Sequence, residues 1–116
     1  MKQVEKMLGE QVESILKQTN LKGKIKIKYD FSNRFERVLA QVRYNFSSMS
    51  TYELRVGNKF FTLQDRIKYK ILQHEIAHIY DRYYNKRRSK HDKVFKDLCE
   101  GLYGDRTIGQ ATIKGW

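Results

Sequence analysis

One hundred and sixteen residues, 40% of them hydrophobic and 13% aromatic, make room for one domain (1–116) with a modest core and exclude a disordered chain. No apolar run approaches the roughly eighteen residues of a membrane helix, and the N-terminus MKQVEKMLGEQVES is too charged for a signal-peptide core, so a soluble cytoplasmic protein is expected. Cys99 is the single cysteine, which excludes an intrachain disulfide and a cysteine-built metal ribbon, while 24 Lys and Arg against 13 Asp and Glu give a net charge of +11.

In chain order, residues 3–18 place Val4, Met7, Leu8, Val12, Ile15 and Leu16 at helical spacing, and Asn20 with Gly23 marks the exit. Lys24 to Tyr29 alternates strictly, with Ile25, Ile27 and Tyr29 on one side and lysines on the other, the pattern of a half-buried strand. Asp30-Phe31-Ser32-Asn33 reads as a turn. Val38, Ala40, Val42 and Tyr44 alternate again, residues 47–50 read as a loop, and Tyr52 to Val56 alternates a third time before Gly57-Asn58. Three short antiparallel strands are expected. The stretch 52–56 is the expected sheet edge, open to an extended peptide by strand addition.

Thr62 and Asp65 form a Thr-x-x-Asp capping pattern that starts a second helix just before Leu63, and the pattern runs on to about Tyr84. A basic connection, Asn85-Lys86-Arg87-Arg88, follows. Ser89 with Asp92 offers another capping pattern before Val94, Phe95, Leu98 and Leu102 repeat at helical spacing, with Cys99 on the apolar side and His91 in the first turn. Residues 104–116 fit a short strand or a loose tail equally. The expected fold class is α+β, a small three-stranded sheet packed on an N-terminal helix and a central helix, followed by a C-terminal helix.

The central helix carries His74-Glu75-Ile76-Ala77-His78, an HExxH sequence. Two imidazoles four residues apart lie about 40° apart around a helix axis, so one metal ion can take both. Ile67 and Ile71 stand seven residues before His74 and His78, which sets both ligands on the inward stripe. With three His and seven Glu in the chain, chance yields HExxH roughly once in two hundred such sequences. His91, the remaining histidine, makes accident a poorer explanation, because one metal site then accounts for all three. A catalytic zinc takes three protein ligands and keeps one position for water, and Glu75, one step round the helix, is placed to take the proton from that water and pass it to a leaving amine.

Other third ligands are considered on spacing. The pattern HExxHxxGxxH needs glycine at 81 and histidine at 84, where this chain has Asp81 and Tyr84, so that subclass is excluded. Glu100 on a following helix, or Asp81, are the alternatives to the preferred His91. Asp81 or Asp92 are candidates to accept the second N–H of a ligating imidazole.

The string HEIAHIYDRYYNKRRSKHDKVFKDL resembles the core of the SprT-like metalloproteases, the family of the bacterial SprT proteins and the Spartan DNA-protein crosslink proteases. In that family HExxH is followed, after a short loop, by His-x-x-x-Phe, which His91 and Phe95 match. The resemblance spans about residues 52–103 and implies a zincin-like fold, peptide hydrolysis, one Zn2+ per chain and His91 as its third ligand. Related WLM-type zincins share the same pair of elements. Lys90 stands where a glycine often precedes the third histidine, and no zinc-ribbon module follows the core in this sequence.

The charge excess favours polyanions at moderate salt. Lysines cluster at 22–28, and Lys86, Arg87, Arg88, Lys90 and Lys93 flank the motif, with Tyr80, Tyr83 and Tyr84 interleaved as stacking surfaces for unpaired bases. Expected partners are therefore a protein substrate and single- or double-stranded DNA. A solvated lysine face and ordinary aromatic packing are the plainer explanations of the same residues. Alternative functions are a small basic DNA-binding protein that keeps the scaffold with little proteolysis, or a narrowly specific protease whose basic surface recognises an acidic protein.

Overall fold

The computed structural model describes residues 3–31, 39–44 and 48–110. Helix α1 (Gln3–Gln18) turns Leu8, Val12, Ile15 and Leu16 inward and leaves Val4 and Met7 half exposed at its start. It ends where Asn20 and Gly23 adopt left-handed backbone, at φ 59° and 81°, conformations that asparagine and glycine tolerate best. Leu21 then folds back into the core with its N–H on the Leu16 carbonyl.

Strands β1 (Lys26–Asp30), β2 (Ala40–Tyr44) and β3 (Thr51–Val56) form one sheet in the order β1-β3-β2. The expected all-antiparallel sheet is corrected to a mixed one: β1 runs parallel to β3, pairing Lys26 with Thr51, and β2 runs antiparallel to it, pairing Val42 with Leu54. Strand β3 is therefore central, and 52–56 is not the open edge. The reason lies in burial. Tyr52, Leu54 and Val56 are all buried, whereas the outer strands carry exposed Lys26, Lys28, Gln41 and Arg43, charged and polar side chains that suit an edge. The turn expected at 30–33, the residue Val38 and the residue Ser47 lie wholly or partly outside the described residues.

After β3 a short 3-10 turn (Asn58–Thr62) buries Phe60, and Thr62 donates its hydroxyl back to the Lys59 carbonyl at 2.7 Å. Thr62 thus closes that turn and does not cap the next helix. Helix α2 (Asp65–Asn85) starts two residues later than expected, with Gln64 at its N-cap and no side-chain cap. Asp65 in the first turn complements the helix dipole and pairs with Lys68 at 3.1 Å. Helix α2 is buried on most sides because it is a shared wall. Its Ile67, Ile71, Leu72, Ile76 and Ile79 join α1 and the sheet in the main core, while Ala77 joins Phe95, Cys99 and Ile108 in a smaller cluster.

Helix α3 (Lys93–Tyr103) is capped by Asp92, whose side chain accepts the Phe95 N–H, and ends at Gly104 with φ 72°. His91 consequently stands in the loop before the helix and not in its first turn. Just beyond Gly104, in place of the expected strand or loose tail, the described residues form a 3-10 turn (Arg106–Gly109), with Asp105 accepting the Thr107 N–H; the rest of that stretch, 111–116, lies outside the description.

Candidate metal centre and active site

His74 and His78 project from α2 toward the smaller cluster, and the 86–92 loop brings His91 over them. Their Nε2 atoms form a near-equilateral triangle: 2.9 Å from His74 to His91, 3.2 Å from His74 to His78 and 3.1 Å from His78 to His91. A tetrahedral ion bound about 2.0–2.1 Å from each imidazole nitrogen spaces them by roughly 3.3 Å. The triangle is close to that size. Among the described residues this is the one group of His, Cys, Asp or Glu whose ligand atoms converge in this way.

The protonation of the rings fits as well. His74 Nδ1 lies 2.6 Å from the Ile108 carbonyl, which can only accept, so Nδ1 carries the hydrogen and Nε2 is bare in the neutral ring. His78 Nδ1 lies 2.7 Å from Ser89 Oγ, a hydroxyl able to accept in the same sense. Burial lowers His74 to about 4 and, with His74 and His91 nearby, lowers His78 to about 3; burial also lowers His91. All three rings are therefore neutral at pH 7, as ligands must be. Phe95 supports them from below, stacked on the His78 ring at 4.1 Å and edge-on to His74 at 5.2 Å. That contact explains why a phenylalanine follows His91 by four residues.

Glu75 sits beside the triangle. Its Oε1 accepts the Val42 N–H of β2 at 3.1 Å, and its Oε2 lies 3.8 Å from His74 Nε2. Burial pushes its pKa up to about 8, against the opposing pull of the Val42 N–H. A cavity of about 150 Å³ opens next to His78, lined by Val42, Tyr44, Tyr52, Arg82 and Ser89. Arg82 lies 3.8 Å over the Tyr44 ring and the Tyr52 hydroxyl donates to the Met49 carbonyl at 2.7 Å, so the cavity wall is held from several sides.

The other sequence candidates fall elsewhere. Glu100 is exposed on α3, outside the histidine cluster. Asp81 is fully buried and accepts from Asn85 Nδ2 at 2.9 Å and Arg87 Nε at 2.8 Å, and Asp92 caps α3 and binds Arg87, so neither accepts an imidazole N–H. Sequence reasoning assigned those roles to carboxylates and missed their actual holders, the Ile108 carbonyl and Ser89. Ser89 was visible only as a capping residue, and a backbone carbonyl carries no sequence signal at all. Lys86, Arg88, Lys90 and Lys93 are exposed around the site, whereas Arg87 is half-buried between two carboxylates. Tyr80, Tyr83 and Tyr84 pack on one another, with Tyr84 donating to the Asn20 carbonyl at 2.5 Å and Lys24 and Lys86 over their rings.

A helix bearing HExxH against a small mixed sheet, with a third histidine returned by the following loop, defines a zincin-like fold. The model of the SprT-like family matches residues 6–113, nearly the whole chain, and the protein belongs to that family. Membership indicates a metalloprotease-type domain, and the histidine cluster is compatible with a bound metal ion. Neither the curated proteins nor the solved structures provide a match. Among the described residues no helix is long and apolar enough to cross a membrane.

Proposed function

We propose that this protein is a zinc-dependent metalloprotease that hydrolyses peptide bonds in proteins at or near DNA. The observation that carries the reading is the convergence of three Nε2 atoms within 2.9–3.2 Å of one another, with the Glu75 carboxylate beside them. Three neutral imidazoles, one of them exposed, are the donor set of a catalytic zinc that keeps a position for water. When bound, zinc supplies a Lewis acid that polarises a carbonyl oxygen and makes a water molecule more acidic.

The remaining steps belong to the chain's own groups. Ile108 and Ser89 hold His74 and His78 with Nε2 outward. The Val42 N–H anchors Glu75 Oε1, which leaves Oε2 to take a proton from the attacking water and deliver it to the leaving nitrogen. In the metal-free chain burial raises Glu75 to about 8; a bound cation beside it would favour the carboxylate, the form that takes a proton. Strand β2 is the sheet edge that reaches Glu75, so an extended substrate lies along it, and the cavity beside His78 receives a side chain flanking the scissile bond. Exposed Lys86, Arg88, Lys90 and Lys93 draw phosphate backbone toward the same cleft.

The net charge of +11 also favours a second reading, a basic polyanion-binding protein with little turnover. Zinc per chain after dialysis against a weak chelator, in wild type and His91→Ala, tests the metal site: one zinc in the wild type, lost or weakened in the variant, is expected. Glu75→Gln is then expected to keep zinc while proteolysis falls about a hundredfold to ten-thousandfold. Assays with and without single- and double-stranded DNA, with gel shifts over a salt series, test the DNA-associated part. Wild-type protein with zinc but no activity against DNA-bound or free protein favours the second reading, and no retardation at low salt removes DNA from both.

A further inference from the structure

We propose that Arg87 is a positioning residue for the metal centre, a guanidinium clamped between two carboxylates that fixes where His91 stands. The inference rests on the three histidines being a metal site. His74 and His78 are set by α2, which the main core holds. His91 has no such support: it stands exposed in the loop between Lys86, the left-handed C-cap of α2 at φ 55°, and Asp92, the N-cap of α3.

One side chain ties that loop down at both ends. Arg87 Nε donates to Asp81 Oδ2 at 2.8 Å, and Asp81 belongs to α2 and is fully buried. Arg87 Nη2 donates to both oxygens of Asp92, at 2.9 and 3.0 Å. Asp92 is the chain neighbour of His91, and its Oδ1 also accepts the Phe95 N–H at 3.0 Å. Phe95 in turn stacks on His78. The contacts run from the helix of the first two histidines, through Arg87, to the residue beside the third, and return through Phe95.

Arginine is suited to this place because its planar fork offers donors on different edges, whereas a lysine ammonium is one point charge. Without the guanidinium the two carboxylates would repel across the loop, and the start of α3 beside His91 would lose its tie to α2. When a ligand is in place for only a fraction of the time, apparent affinity falls by that fraction. Loosening Arg87 therefore weakens metal binding without altering any ligand atom.

The test is zinc affinity of the full chain by competition with a chromophoric chelator, with Co(II) absorption as a second readout. Arg87→Lys keeps a cation for buried Asp81 but cannot also span to Asp92. Asp92→Asn keeps an oxygen to cap α3 and weakens only the arm to Arg87. Each is expected to weaken zinc binding about tenfold to a hundredfold, with the double variant no worse than either single one and an altered Co(II) spectrum. Neither change should weaken binding further once His91 is alanine. Wild-type affinity in both variants overturns the proposal, and so does equal weakening in the His91→Ala background, which assigns the effect to general loosening of the fold. Wild-type protein that holds no zinc overturns the metalloprotease reading and this inference together, an outcome distinct from the other two.

Discussion

At the scale of single residues, the site is made of groups kept from their ordinary charge states. Unfolded imidazoles take protons near 6.5, whereas His74 and His78 resist until about 4 and about 3. Between those values the unfolded chain binds more protons, so acid favours unfolding. Glu75 acts in the opposite direction, holding its proton up to about 8 against 4.5 when unfolded, so rising pH across that window also favours unfolding. These histidines, joined by His91, outweigh one glutamate below about pH 6.5, and as pH rises beyond it Glu75 comes to dominate. The metal-free protein is therefore expected to melt highest near pH 6.5 and lower on both sides; a melting temperature that keeps climbing to pH 8 would contradict the assigned burial of Glu75. Ser89→Ala removes the partner of His78 Nδ1, and zinc affinity is expected to fall about tenfold. Chelator competition with unchanged affinity would show that the hydroxyl does not orient the ring.

At the scale of elements, the 3-10 turn of Arg106–Gly109 is the least expected contributor, and a glycine lets it reach the site. A Cβ on Gly109 would lie 2.8 Å from Lys96 Cα, 3.3 Å from its Cγ and 3.4 Å from Cys99 Sγ. The nearest obstacle is backbone, so Gly109→Ala has to move the turn away from α3, and the Ile108 carbonyl leaves His74 Nδ1 with it. A loss of about 1–3 kcal/mol is expected, together with weaker zinc binding. Gly101, inside α3 with open space around it, is the contrast: Gly101→Ala should gain about 0.5–1 kcal/mol and leave zinc affinity unchanged. Denaturant unfolding of the two variants checks both, and equal effects would refute the close-approach argument. These elements also mark how far the sequence could be read. Apolar periodicity placed α1 and α2 to within about two residues and the start of α3 to within about three, and HExxH with His-x-x-x-Phe marked the residues that converge. The strand order was not legible, because alternation in Tyr52, Leu54 and Val56 reports a buried face and not the neighbours on either side. Ser89 and Thr62 were misread for a related reason: a hydroxyl caps a helix or bonds elsewhere according to what folding brings near it.

At the scale of the whole molecule, the metal centre joins two cores of unequal size. Among the described residues the main cluster of α1, the sheet and α2 buries fourteen apolar side chains, whereas Ala77, Phe95, Cys99 and Ile108 make up the smaller one. The smaller cluster has too little apolar area to hold α3 and the terminal turn as firmly as the sheet holds α1. What adds to it is polar: the Arg87 bridge, the Ile108 bond to His74 and the Tyr103 hydroxyl on the Gln73 carbonyl at 2.8 Å. A metal held by His74, His78 and His91 would link the same two parts, since opening the 86–110 segment carries His91 off α2. Openings that release the metal become rarer in proportion to its saturation, about a hundredfold at a free concentration one hundred times Kd. Hydrogen exchange with and without zinc is thus expected to slow in residues 86–110 and change little in α1, β1 and β3, whose opening free energy the main core sets. Uniform slowing over the chain would mean that zinc is released only by global unfolding and that the two cores form one cooperative unit.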